Sequence, residues 1–131
     1  MSDSVLREKS KDFAKDIVFL CRKLKKAGAE AALVNQLLRS GTSVGANVHE
    51  ARYAQGAKDF VSKLEIALKE CSETEFWFEI LYETGSLSSA DFESFRARYI
   101  ELRRMLVASV TTVKTNDRTA TSHSGANAAG K

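Results

Sequence analysis

Proline is absent from all 131 residues, which leaves long helices free of the residue that breaks them at a cost of about 3 kcal/mol. Cysteine occurs only twice, as Cys21 and Cys71, with no metal-type spacing. Both fall within helical patterns and read as buried thiols in a reducing compartment, not as a disulfide. Histidine is equally sparse: His49 stands beside Glu50, and His123 lies near the C-terminus. These two cannot supply the paired Glu-x-x-His of a di-iron bundle, and "HEARY" (His49 to Tyr53) is not the H-E-x-x-H of a zinc site. Neither cysteine adjoins a histidine, and a thiolate is disfavoured on an apolar face. No cofactor, no metal and no catalytic group is expected, so the chain reads as a non-enzyme. The longest apolar run, "IVFLC" (Ile17 to Cys21), is far below the roughly 20 residues of a membrane span. "MSDSVLREKS" likewise lacks the apolar stretch of a secretory signal. A cytoplasmic protein with no membrane partner is expected.

What is present is helical. Gly28, Gly56 and Gly85 fall where helical patterns end, and glycine just past a helix accepts the left-handed backbone that caps it. Lys25 and Lys26 precede Gly28, as the negative end of a helix dipole favours. Ser88 with Asp91 three residues on forms a capping box. These signals predict helices over 4–26, 30–54, 58–84 and 88–114. Each is about 40 Å long, and the very short turns make neighbours antiparallel. The expected fold is an all-α, up-down-up-down four-helix bundle over 1–115. The remaining residues, 116–131, have no large apolar side chain and are expected to form a disordered tail.

Within the second helix, Val34, Leu37, Leu38, Gly41, Val44, Gly45 and Val48 share one face at 100° per residue. Glycine there costs roughly 1 kcal/mol against alanine, so Gly41 and Gly45 point to a neighbouring helix packed unusually close. A phosphate-binding loop does not fit, because Ala46 and Asn47 follow the second glycine where Walker A needs lysine. Arg39, Ser43, Asn47 and Glu50 form a polar stripe on the opposite face. It reads equally as a solvated charge ladder or as a network buried between subunits. The third helix carries a core face of Phe60, Leu64, Ala67, Cys71, Phe78 and Tyr82. A second stripe runs Ile66, Glu70, Glu73 and Trp77, with Ile80 beside it. One apolar face suffices in a bundle, so Trp77 and Ile66 are expected at a subunit contact.

The net charge of +3 is small but unevenly spread. Residues 1–28 hold eight Lys/Arg against four Asp/Glu, and residues 57–85 hold three against seven. On the first helix Lys11, Lys15, Arg22 and Lys26 form one basic stripe opposite Phe13, Ile17, Leu20 and Leu24. The last helix adds Arg96, Arg103 and Arg104. A basic stripe alone is most often a solvated face, but a symmetric oligomer repeats it, and multivalency amplifies weak phosphate contacts. No RNA-reading motif with stacking aromatics is visible.

The runs "QLLRSGTSVGANVHEA" (Gln36 to Ala51) and "KDFVSKLEIALKECSETEFWFEIL" (Lys58 to Leu81) resemble the four-helix bundle proteins of the 23S rRNA intervening-sequence family. The resemblance covers roughly residues 10 to 112. It implies an antiparallel four-helix bundle, with related members assembling as pentameric rings, encoded in insertions within bacterial ribosomal RNA genes or elsewhere in bacterial genomes. The accessory protein of diversity-generating retroelements is similar in fold, forms a pentamer, and binds nucleic acid and a reverse transcriptase. The family has no established catalytic residues to carry over. Its hallmark positions correspond here to Arg39, Ser40, Gly41, Gly45, Asn47, Glu50, Asp59, Lys69, Glu70, Glu73 and Trp77. Gly56 departs from the pattern, which often has serine there to cap the third helix. The resemblance implies a homopentamer with Lys69 added to the candidate interface. RNA or DNA is the expected ligand, bound by the basic residues of the first and last helices. The alternative is an oligomeric scaffold for a protein client.

Overall fold

The structure, a computed structural model, describes residues 2–129, with side chains over residues 3–116. Four helices follow in order: α1 (Ser2–Lys26), α2 (Ala31–Ala51), α3 (Ala57–Glu83) and α4 (Ser89–Ala129). No strand occurs among the described residues. α2 packs extensively on both α1 and α3, whereas α1 and α4 share a smaller interface.

Two of the three punctuating glycines close helices as expected. Gly28 (φ +90°) and Gly85 (φ +86°) take the left-handed backbone that only glycine adopts freely. Each makes the paired bonds of a Schellman turn: Gly28 N–H to the Lys25 carbonyl with Ala29 N–H to Leu24, and Gly85 N–H to Tyr82 with Ser86 N–H to Leu81. Gly56 differs. Its φ of 163° is extended backbone, and it stands at the start of α3, not at the end of α2. α2 stops at Ala51, three residues before the expected 54. The chain then tightens through Arg52, Tyr53 and Ala54, whose N–H groups each bond three residues back. With no left-handed residue to cap it, α2 tapers into a 3₁₀-like turn. At the far end, α4 passes the expected boundary at 114 and continues to Ala129, because no proline intervenes and the first glycine is Gly125. The side chains of residues 117–131, His123 among them, lie outside the described residues, as does the expected disorder of that segment.

The core is built from positions three and four apart on each helix. Phe13 and Ile17 of α1, Val34, Leu37 and Val44 of α2, Leu64 and Phe78 of α3, and Tyr99 and Leu106 of α4 are essentially inaccessible. Burying each such side chain stabilises the fold by about 1.5–3 kcal/mol. Tyr82, on the expected core face of α3, remains 38% exposed and stacks on Phe92 at 4.3 Å. Contacts between neighbouring helices run in reversed order. In α1 against α4, Lys9 meets Glu101 at 2.9 Å, Asp16 meets Arg98 at 2.8 Å, and Lys23 meets Asp91 at 2.9 Å. In α2 against α3, Arg39 reaches Glu70 and Glu50 reaches Lys63; in α3 against α4, Glu65 reaches Lys114 and Glu75 reaches Arg103.

Candidate functional site

The glycines of α2 set how closely α1 and α2 approach. A Cβ on Gly45 would lie 2.8 Å from the Ser10 carbonyl oxygen, and one on Gly41 would lie 2.9–3.1 Å from side-chain carbons of Ile17. Contacts that short are excluded for real side chains, so only glycine lets the backbone of α1 sit there. Above this contact the small side chains of Ala14 and Ala46 leave a groove of about 530 Å³, lined by Arg7, Lys11, His49 and Arg52 and by one acid, Glu8. The side chains of Arg7, Lys11 and Arg52 make no ion pair among the described residues. Beside two of the groove's lining residues stands Tyr53, 68% exposed, its ring 5.8 Å from His49 and 5.7 Å from the Arg52 guanidinium. Arg7 and Arg52 also border an open pocket of about 470 Å³ at the end of the bundle, lined by Leu6, Val48, Phe60 and Leu64 and by Asp3.

The groove continues into the basic stripe of α1. Lys11, Lys15, Arg22 and Lys26 are all exposed. Lys15 approaches Asp12 at 3.5 Å, and Arg22 lies 5.8 Å over the ring of Phe19, itself 61% exposed. The arginines of α4 lie apart from this stripe. Arg103 is half-buried and donates to Glu75 of α3 at 2.6 Å, and Arg96, seven residues before it, is on the same side of α4. Arg104 is exposed and unpaired among the described residues. The packing directs the first group of cations along α1 and α2 and ties part of the α4 group to α3.

The polar stripe of α2 and the mixed stripe of α3 face each other across one seam within a single chain. Arg39 Nη1 donates to Glu70 Oε2 at 2.9 Å, and its Nη2 donates to Glu73. The Trp77 indole N–H donates to the same Glu73 oxygen at 3.0 Å. The Trp77 bond first, and Arg39 second, hold the Glu73 carboxyl below the usual range; Arg39 is raised in turn, chiefly by Glu73. Further along, Lys63 donates to Glu50 at 3.0 Å, which raises the lysine, and Asn47 Nδ2 donates to the Ser43 carbonyl at 2.9 Å. Trp77 was expected to find no burial inside the protomer. It is partly buried against the core. Ile66 is 41% exposed, and Phe76, which sequence reasoning left out, is 52% exposed with its ring edge-on to Trp77 at 4.9 Å. Lys69, seven residues before Phe76, is exposed on the same side.

The thiols are closed off. Cys21 donates to the Val34 carbonyl at 3.7 Å and Cys71 to the Tyr99 carbonyl at 3.4 Å, and burial pushes both up to about 11. Both are neutral thiols at pH 7 and poor nucleophiles. Among the described residues no three of His, Cys, Asp and Glu gather as a metal site would need, and no helix is long and apolar enough to cross a membrane.

No curated protein matches the chain. A crystal structure at 1.70 Å of a protein with unknown function from the S23 ribosomal protein family of Bacteroides thetaiotaomicron VPI-5482 is similar at 41% identity and a TM-score of 0.83. The similarity covers 85% of this chain and 99% of that one. The family model for 23S rRNA-intervening sequence protein matches residues 2–108, which span the glycine helix, the α2–α3 seam and the basic stripe of α1. The chain belongs to the 23S rRNA-intervening sequence protein family.

Proposed function

We propose that this protein is a cytoplasmic, non-enzymatic accessory protein that assembles as a homo-oligomer and binds RNA or DNA through the outer face of α1. The observation that carries this reading is the free cationic track of Arg7, Lys11, Arg22 and Lys26. Most other lysines and arginines near the helix seams are engaged by carboxylates: Lys9, Lys23, Arg98 and Arg103 each have one. Charge left unpaired on one face costs self-repulsion and is relieved by a polyanion. The reversed order of helix contacts supports an antiparallel up-down-up-down bundle. A ring of such bundles, a pentamer as the family resemblance implies, repeats the track, so weak phosphate contacts add through effective concentration. Arg96 and Arg104 of α4 serve as secondary contacts in this reading.

The test is fluorescence anisotropy of labelled RNA and DNA against the full chain, titrated with salt. Affinity is expected to fall log-linearly with salt, and reversing Lys11, Lys15 and Arg22 to glutamate is expected to abolish it without changing the oligomer mass. Unchanged affinity in that variant would refute the mapping. A second reading, a scaffold for a protein client, is favoured by the exposed apolar side chains Ile66 and Phe76 of α3. It predicts an oligomer with no salt-sensitive nucleic-acid affinity.

A further inference from the structure

We infer that the α1–α2 groove is a single-strand site. Arg7, Lys11, His49 and Arg52 hold the sugar–phosphate backbone of a single-stranded nucleic acid over the floor of Ala14, Gly45 and Ala46, and Tyr53 stacks a base. This inference rests on the nucleic-acid reading above and deepens it by naming the form of the ligand and the atoms that meet it.

Three observations converge. The groove's three cations, Arg7, Lys11 and Arg52, stand against a single acid, Glu8, and none of the three makes an ion pair among the described residues. Its floor is made of the smallest side chains, Ala14 and Ala46 beside the close approach at Gly45, so a ligand backbone comes down to the helices themselves. At about 530 Å³ it has room for a nucleotide or two. The third observation is Tyr53, the most exposed large hydrophobic side chain described, set directly beside two of the groove's residues, His49 and Arg52. An aromatic ring held open to solvent costs free energy unless something covers it, and a stacked base does so whatever its sequence. Phe19 under Arg22 repeats the pairing of exposed ring and arginine farther along α1, on the line a longer strand would follow.

Single-strand grooves combine phosphate contacts, which depend on salt, with stacking, which does not. The experiment separates the two on the full chain, with short labelled RNA and DNA single strands and the corresponding duplexes. Single strands are expected to bind more tightly than duplexes. Tyr53→Ala and Ala46→Leu, which remove the platform and fill the groove without changing charge, are each expected to weaken single-strand binding about tenfold with the salt slope unchanged. Arg52→Gln is expected to lower that slope by about 0.7. The RNA and DNA arms show which of the two is preferred through the 2′-hydroxyl. Circular dichroism and light scattering confirm that each variant folds and assembles. If single strands bind and Tyr53→Ala and Ala46→Leu leave affinity intact, or if duplexes bind as tightly, the groove assignment falls and the nucleic-acid reading stands. If no nucleic acid binds at low salt, both fall.

Discussion

At the scale of single residues, the glycines of α2 matter most. Both sit on the apolar face, but their neighbours differ in what can yield. At Gly45 the obstacle is the Ser10 carbonyl oxygen, a backbone atom fixed in α1; at Gly41 it is the side chain of Ile17, which has rotatable ends. Alanine gains about 1 kcal/mol in helix propensity at either site. Forcing a methyl into a packed contact costs about 1–3 kcal/mol when the surroundings must move. Gly45→Ala is therefore expected to destabilise the fold by about 1 kcal/mol or more in urea unfolding, and Gly41→Ala to destabilise it by less, because a buried side chain and not the backbone must shift there. A Gly45→Ala protein as stable as the wild type would mean α1 does not pass that close. The close packing was legible in sequence because glycine inside an apolar helix face weakens the helix unless a neighbour needs the room. The groove above it was not. Arg7 and Lys11 sit on one helix and His49 and Arg52 on another, and neither pair stands out until the helices meet. The local signal, basic residues four apart on one helix and a histidine and an arginine three apart on the other, is common on solvated faces.

At the scale of elements, the α2–α3 seam joins two stripes that sequence periodicity found separately. Periodicity gives the angle of a residue about its own helix but not which neighbour that angle faces, so Arg39 and Glu73 were seen as stripes and not as a pair. Helix ends were read well where the backbone needs a positive φ, at Gly28 and Gly85. They were read poorly at Gly56, where extended backbone asks nothing of glycine. The seam also sets a pH dependence. The folded-state pKa of Glu73 is depressed, so its contribution is complete above the ordinary carboxylate value of about 4.3 and is lost as pH falls through the lower folded value. Arg39 is half exposed, which limits the ion pair to less than about 1 kcal/mol. Glu73→Gln keeps an acceptor for the Trp77 indole but removes the charge. The wild type is expected to exceed this variant in urea midpoint at pH 7, with the gap closing below pH 4. A gap that persists in acid would show that Arg39 and Trp77 do not depend on the ionised carboxylate.

At the scale of the whole molecule, the question is what covers the outer face of α3. Ile66 and Phe76 are exposed in the single chain, and Trp77 is held at its edge by Glu73 and Phe76. Ionic networks fix orientation without much net stability, whereas apolar side chains exposed together gain from contact with a like surface. The seam thus orients a patch that a second copy can bury, in keeping with the ring the family resemblance implies. Trp77 is the only tryptophan, so its emission reports on this face. Light scattering of the wild type is expected to give a multiple of 14.4 kDa. Phe76→Glu, which places a charge beside Trp77 and disturbs no buried core position, is expected to give 14.4 kDa with helical content retained and Trp77 emission shifted to the red. The same variant discriminates the roles of assembly and groove. A monomer that retains the groove should bind a short strand as before but lose the avidity that a longer strand gains by spanning several copies. If Phe76→Glu keeps the wild-type mass, the subunits meet elsewhere, and the apolar face of α3 belongs to another partner.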